Sequence, residues 1–353
     1  MAPTEVSQTG RPVCKTDHAN PRRCAILATS SLLHECAVPR FVRSIMPFSA
    51  RARLGFIGAG RLARCLAVGF ARAGYPVPAV AGRTSDSARR LAQVLPQCRA
   101  VADAQAVVDA SEIVFVAVPD DSIGTIANTL RFDGAHERPV ALVHCSGATS
   151  VEVLAPARSQ GASIGGFHPL YLFSGDEADV ERIAGCSITI EAQDELAAVL
   201  TALARSLGCE VLTLPGEHRL LYHGAAHYAA SFALAALAEA TSVWQTLGFD
   251  EAQSLRALLP MLAGTVQAAR AKGLPGALAG PVSRGDADVL ERQLAAFEAL
   301  GGDHAALYGL LTRRALSLAR RRAQPPASIE RMTDAVEDAL GRSRSQVQAP
   351  SKP

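Results

Sequence analysis

The chain has 353 residues, 49% of them apolar, with 35 Lys and Arg set against 33 Asp and Glu, enough for two domains and a substantial core. A net charge of +2 with like charges dispersed along the chain argues against a nucleic-acid partner and against an anionic membrane surface. Eight cysteines without C-x-x-C pairs or metal-ligand spacing read as reduced thiols of a cytoplasmic protein, not as a disulfide or zinc framework.

Residues 1–50 mix Pro, Ser, Thr, Arg and His without helical or strand period and are expected to form a disordered extension. The apolar run after Arg22-Arg23 is short and broken by Ser30 and Ser31, which argues against a secretory signal. Met46, just ahead of the first strand, is the more economical start of translation.

The strongest pattern follows at once. Arg53-Leu54-Gly55-Phe56-Ile57 is an apolar strand that breaks into Gly58-Ala59-Gly60-Arg61-Leu62-Ala63 and opens a helix. In this G-x-G-x-x-A spacing Gly58 permits the tight turn, Gly60 lets backbone approach a pyrophosphate, and small Ala63 lets the helix pack close to the strand. Phosphate oxygens would meet unpaired N–H groups at the helix N-terminus, which makes Gly58, Ala59, Gly60, Arg61 and Leu62 the expected cofactor cradle. About twenty residues on, a second strand ends in Gly82-Arg83-Thr84-Ser85 with no carboxylate to take a ribose 2′-hydroxyl. Arg83 and Thr84 suit a 2′-phosphate, so NADP(H) is the expected cofactor; one charge-assisted bond of about 1.5–3 kcal/mol would give roughly ten- to a hundredfold preference.

Strand and helix then alternate, with strands expected at 53–58, 77–82, 98–102, 112–118, 139–145, 162–167, 185–190 and 209–214. The run Ile113 to Val118 is apolar throughout, as for a central parallel strand buried on both faces. It ends at Pro119-Asp120, and the next strand ends at His144-Cys145-Ser146-Gly147. Ligands of open α/β sheets bind beyond strand carboxyl ends, which puts Val118, Pro119, Asp120 and Ser146 beside the cofactor. After Pro215 only helical periodicity remains, over about 216–247, 250–271, 286–300 and 303–322. Gly224 to Val243 is nearly apolar all round but carries His227 and Glu239, which suits the buried centre of a helical domain and a homodimer face better than a membrane span. The expected organisation is a doubly wound, mostly parallel α/β Rossmann domain at 51–214, an all-α substrate and dimerisation domain at 215–322, and a mobile tail at 323–353 with one further helix near Ile329 to Leu340.

Gly58-x-Gly60-x-x-Ala63, Val116-Ala117-Val118-Pro119-Asp120, His144-Cys145-Ser146-Gly147, Gly166-Phe167-His168-Pro169-Leu170, Tyr222-His223-Gly224-Ala225-Ala226 and Gly280-Pro281-Val282-Ser283-Arg284-Gly285-Asp286 occur together. Jointly, over about residues 53–315, they resemble the Rossmann-like plus DUF2520 family, a branch of the 6-phosphogluconate dehydrogenase-like superfamily. That superfamily includes deazaflavin-dependent NADP oxidoreductases, pyrroline-carboxylate reductases and prephenate dehydrogenases. The resemblance implies a Rossmann domain, an all-helical domain and an NADP-linked redox role, without a substrate. It departs at two places: Ala230-Ser231 stands where the family has Ser-Asn, and Gln293 where a His is common.

Hydride transfer asks the protein for positioning and for a group that gives or takes a proton. His168, in a Gly-Phe-His-Pro turn like that of prephenate dehydrogenases, and His223, early in the central helix, are the expected catalytic pair. Ser231 and Arg284 are expected to meet the substrate, Arg284 by holding a carboxylate or phosphate from a flexible turn, while Asp286 caps the next helix. His223 and His227 share a helical face, but no Glu follows the first and no third ligand is evident, so no metal site is expected. The leading expectation is an NADP(H)-dependent oxidoreductase of a small carbonyl, imine or hydroxy acid. A non-catalytic NADP-binding redox sensor and a deazaflavin-linked enzyme are the alternatives.

Overall fold

The computed structural model describes residues 48–132 and 139–348, with side chains as far as 343. The expected disordered extension, all but residues 48–50 of it, and the Met46 start lie outside the described residues.

Strand and helix alternate from β1 (Leu54–Ile57), α1 (Arg61–Arg72), β2 (Ala79–Ala81), α2 (Ser85–Ala92), β3 (Arg99–Ala100) and α3 (Ala104–Ala110) to β4 (Ile113–Val116), α4 (Asp120–Thr129) and β5 (Ala141–His144). The alternation continues through α5 (Ala155–Ser159), β6 (Ser163–Pro169), α6 (Asp179–Arg182), β7 (Ser187–Glu191), α7 (Asp194–Ser206) and β8 (Glu210–Thr213). All eight strands fall where the sequence places them, each within two residues of its expected span. They form one sheet in the order β3-β2-β1-β4-β5-β6-β7-β8, parallel except where β7 runs against β6.

The period of two in each strand sorts side chains to the two sheet faces. Phe56 and Phe115 join Phe70 and Phe167 in one core layer, where their rings lie 5.2–6.1 Å apart. Ile57, Val114, Val116 and Leu142 pack on the other face with Ile123 and Leu154. Helices cover both faces, so the sheet is doubly wound and of the Rossmann type. Local chemistry starts the helices where hydroxyl or carboxylate side chains accept orphan N–H groups: Thr84 Oγ1 accepts from Ser87 N, and Asp103 Oδ1 accepts from Ala106 N at 2.8 Å.

An all-helical region follows: α8 (Arg219–Ala229), α9 (Ser231–Thr246), α10 (Glu251–Ala277), α11 (Gly280–Arg284), α12 (Ala287–Leu300), α13 (His304–Arg320) and α14 (Ile329–Gln348). The single helix expected over 216–247 is two, broken at Ala230, whose φ of −119° and ψ of −89° are not helical. Gly280 to Arg284, expected to be a flexible turn, is the short helix α11. The expected mobile tail is also corrected. Its helix α14 buries Met332, Val336 and Ala339 completely in a core with Leu290, Leu294 and Leu316, because its apolar residues recur at helical spacing on the face that packs against α12 and α13. No helix among the described residues is long and apolar enough to cross a membrane.

Candidate functional site

The turn from β1 to α1 is built as its spacing requires. Gly58 has φ +110° and lies so close to the neighbouring strand that a Cβ would sit 2.2 Å from the Ala117 carbonyl oxygen, so no side chain fits there. A Cβ on Gly60 would meet nothing within 4 Å. Gly60 is the N-cap of α1, and no side chain caps that helix, so its first N–H groups remain available for an anion. Ala63 is fully buried against the sheet. At the end of β2, Arg83 is exposed and takes part in no ion pair among the described residues, whereas Thr84 is engaged in capping α2. These features fit a dinucleotide: an open backbone cradle at a helix start, and one free cation at the next strand end.

Beyond the strand ends lies an open cleft lined by Leu62 of α1, Val118 and Asp120 at the start of α4, Ser146 and Gly147 after β5, His168 of β6 and His223 of α8, among others. The structure thus gathers six of the residues expected from sequence: Leu62, Val118, Asp120, Ser146, His168 and His223. Gly58, Ala59, Gly60 and Arg61 form the adjoining turn, and Pro119 is the N-cap of α4. Ser146 is buried, and its Oγ accepts from Ala148 N at 3.2 Å and Thr149 N at 2.9 Å, closing a local turn.

The imidazoles of His168 and His223 stand 5.7 Å apart at 69°. Gly147 is the floor beneath both: a Cβ there would lie 2.5 Å from His223 Cδ2 and 2.6 Å from His168 Cε1. His168 Nδ1 bonds the Tyr222 hydroxyl at 3.3 Å, and that hydroxyl accepts from Thr189 Oγ1 at 2.7 Å. Burial, with His223 and Arg219 close by and Asp120 opposing them, pushes His168 down to about 4. His144, at the end of β5, is fully buried; burial and the nearby Arg219 and His168 push it down to about 3. Both imidazoles are therefore neutral near pH 7.

Sequence reasoning passed over the residue that ties this site together. Arg219 is almost completely buried; its Nε donates to Thr149 O at 2.9 Å, its Nη2 to Ser146 O at 2.9 Å and its Nη1 to Glu191 Oε2 at 3.0 Å. Desolvation lowers the guanidinium and raises the Glu191 carboxyl, and the pairing offsets both. Arg219, Tyr222 and His223 stand at i, i+3 and i+4, on one face of α8. An arginine one turn ahead of Tyr222 and His223 on the same helical face was the available signal. Thr189 and Glu191 carried none, because their partners are distant in sequence.

Ser231 and Arg284 do not line the cleft. Ser231 Oγ bonds His227 Nδ1 at 3.2 Å across the α8–α9 break. Arg284 Nε donates to Asp286 Oδ2 at 2.8 Å; Asp286 precedes α12 but makes no side-chain cap, since its carboxylate is turned to that arginine. Gln293, at the second departure from the resembled family, accepts from the Tyr308 hydroxyl at 2.9 Å.

Residues 43–169 match the model of the Rossmann-like domain, and residues 186–315 match that of the Domain of unknown function (DUF2520). Among solved structures, protein TM1727 from Thermotoga maritima is 25% identical with a TM-score of 0.61, over 76% of this chain and 100% of that one. BF3122 from Bacteroides fragilis, named as a candidate NADP oxidoreductase, is 26% identical with a TM-score of 0.57, over 75% of this chain and 97% of its own. A reductive aminase from Aspergillus terreus, solved with NADPH and ethyl levulinate, shares the fold at 18% identity and a TM-score of 0.52, over 83% of this chain and 95% of its own. No curated protein matches the sequence.

Proposed function

We propose that this chain, a member of the proteins that join a Rossmann-like domain to a DUF2520 domain, is an NADP(H)-dependent oxidoreductase acting on a small carbonyl, imine or hydroxy-acid substrate. The observation that carries the reading is the continuity of two features. The open Gly58–Gly60 turn with its uncapped helix start runs into a cleft where His168 and His223 stand side by side. The likeness to BF3122 supports the same class.

When bound, NADPH supplies the hydride. The N–H groups at the start of α1 would hold the pyrophosphate, and Arg83 would pair with the 2′-phosphate. Val118 and Leu62, which line the cleft, would give the nicotinamide apolar walls. His168, neutral at physiological pH, presents a ring nitrogen to the substrate, and His223 stands beside it. Arg219 holds the Ser146–Thr149 turn, and through it Gly147, against both rings.

The same reading extends to a homodimer through the helical region and to a cytoplasmic location. Leu221 is 78% exposed, Tyr228 75% and Met261 66%, while α10 buries only Ser254 and Leu258 of its 27 residues. Apolar exposure on this scale suits a second copy better than water.

Calorimetric titration of NADPH and NADH into the full chain and into Arg83→Ala tests the cofactor assignment. NADPH is expected to bind at least about tenfold tighter than NADH, as one charge-assisted bond would give, and the variant to lose that preference. Absence of binding by either nucleotide removes the proposal.

A further inference from the structure

We propose that Thr189 and Tyr222 are positioning residues that hold His168 as its Nε2–H tautomer, with that N–H aimed into the cleft, so that the site selects a carbonyl oxygen over a protonated imine nitrogen. The inference rests on the oxidoreductase reading above and narrows its substrate class.

The argument begins with a buried hydroxyl. Thr189 is fully buried, and its Oγ1 bonds the Tyr222 hydroxyl alone among the described residues. A buried O–H without an acceptor is costly, so Thr189 donates there. The phenolic oxygen then accepts, and its own proton has His168 Nδ1 as partner. A ring nitrogen that accepts carries no proton in the neutral imidazole, which puts the hydrogen on Nε2.

Nε2 points the right way for use. It lies on the ring edge nearest Gly147 in the cleft wall and has no hydrogen-bond partner among the described residues. It is also not sealed: among the described residues the buried side-chain atoms without a hydrogen-bond partner are Arg53 Nε, Ser111 Oγ and His144 Nε2. His144 is closed off with its Nδ1 turned to Ser146 N, so it is structural, whereas His168 is open.

The sheet fixes the arrangement. His168 of β6 and Thr189 of β7 are register partners in the antiparallel pair, so their side chains share a face, and Tyr222 from α8 bridges them. The charged and titratable groups around the ring are His223 and Arg219 from α8, His144 from β5 and Asp120 from α4. Near pH 7 the net effect of burial and these neighbours favours the neutral ring.

A neutral Nε2–H complements an oxygen that gains negative charge. As the carbonyl carbon receives the hydride pair, its oxygen becomes an alkoxide and takes the Nε2 proton. Nδ1 takes the phenolic proton and the phenolate stays held by the Thr189 O–H; after the alcohol leaves, a solvent proton is taken up at Nε2 and Nδ1 returns its proton to the phenolate, which restores the starting tautomer. The carbonyl is reduced, the nicotinamide is oxidised, and one proton is consumed. A protonated imine would set a second N–H donor against Nε2–H, and a site built around one hydrogen-bond polarity discriminates strongly against the other.

Long-range 15N–1H correlation spectra of the labelled full chain, with His168 assigned through His168→Asn, read the tautomer directly and without cofactor. The expected result between pH 5.5 and 8 is an unprotonated Nδ1 and a protonated Nε2 that do not titrate. In Tyr222→Phe the ring is expected to give averaged tautomer shifts within an unchanged backbone spectrum. A protonated Nδ1 in the unaltered chain, or the same single tautomer in Tyr222→Phe, overturns the proposal. With NADPH, a ketone is expected to exceed a cyclic imine of matched shape by at least about tenfold in kcat/KM, and Tyr222→Phe to lower kcat for the ketone with KM little changed; an equal or faster imine overturns the selectivity. Failure to bind NADPH would remove the oxidoreductase reading while leaving the tautomer to be decided by the spectra.

Discussion

Arg219 and Glu191 meet at 3.0 Å with the guanidinium 2% and the carboxylate 24% exposed, and the same guanidinium holds two backbone carbonyls of the turn after β5. Breaking a buried pair from one side leaves a charge without compensation, at about 3–5 kcal/mol. Glu191→Ala is therefore expected to destabilise the protein by about 3 kcal/mol. Arg219→Met is expected to cost a similar amount and to free the Ser146–Thr149 turn. Urea unfolding of both variants measures this; a change under about 0.5 kcal/mol, the range of ordinary surface substitutions, would mean that the pair is not a structural tie.

Gly147 is the position most sensitive to a single methyl group. In Gly147→Ala the new Cβ must displace the rings of both His168 and His223, an overpacking cost of about 1–3 kcal/mol. Loss of at least about tenfold in kcat/KM is expected, since small misplacements at a reacting centre cost up to about a hundredfold. Steady-state kinetics beside a melting curve separates this from unfolding: the kinetic loss should persist at temperatures where the variant is fully folded.

The two buried imidazoles also set a pH dependence. In the unfolded chain both take up protons near their ordinary value of 6.5, but in the folded chain only near 4 for His168 and 3 for His144. Between about pH 6.5 and pH 4 the unfolded state binds more protons, so stability from these groups is present in full above 6.5 and falls as the pH is lowered through that window. Calorimetric Tm values from pH 7.5 to 4 should decline, and His144→Gln should decline less steeply than the unaltered chain. Parallel curves would remove His144 from this account.

Met332 tests the seating of α14. It is fully buried against α12 and α13, so Met332→Ala is expected to cost about 2–5 kcal/mol, read from the urea midpoint. A truly mobile tail would tolerate the change at no measurable cost.

The sheet was legible because its signal is local: runs such as Ile113 to Val118 declare a buried strand within themselves, and the Gly58–Gly60 turn declares its geometry. His168 and His223 were legible for the same reason, being reactive residue types at strand and helix ends. What escaped was decided elsewhere in the chain. Met332 and Val336 look like a short amphipathic stretch until α12 and α13 provide a groove. The break at Ala230 has no Gly or Pro to mark it. Thr189 is an ordinary strand threonine until register sets it opposite His168 and α8 brings Tyr222 between them. Arg284 and Ser231 were expected at the substrate; neither lines the cleft, and they bond Asp286 and His227.

The reversal of direction at β7 has a consequence for how the site fluctuates. Thr189 and His168 are joined by rungs of the same ladder and not by a loop, and the sheet there is packed through Phe167 and Ile190 into the main core. Separating Thr189 from its place opposite His168 means unzipping β6 from β7, an excursion far costlier than the frequent opening of surface loops, whereas Tyr222, which bridges the two, is carried by α8. The amide hydrogens of this strand pair should therefore be among the slowest in the protein to exchange with deuterium, while the uncapped amides at the start of α1 exchange faster. On the proposed reading, the substrate would meet the slow strand pair and the nucleotide the faster helix start.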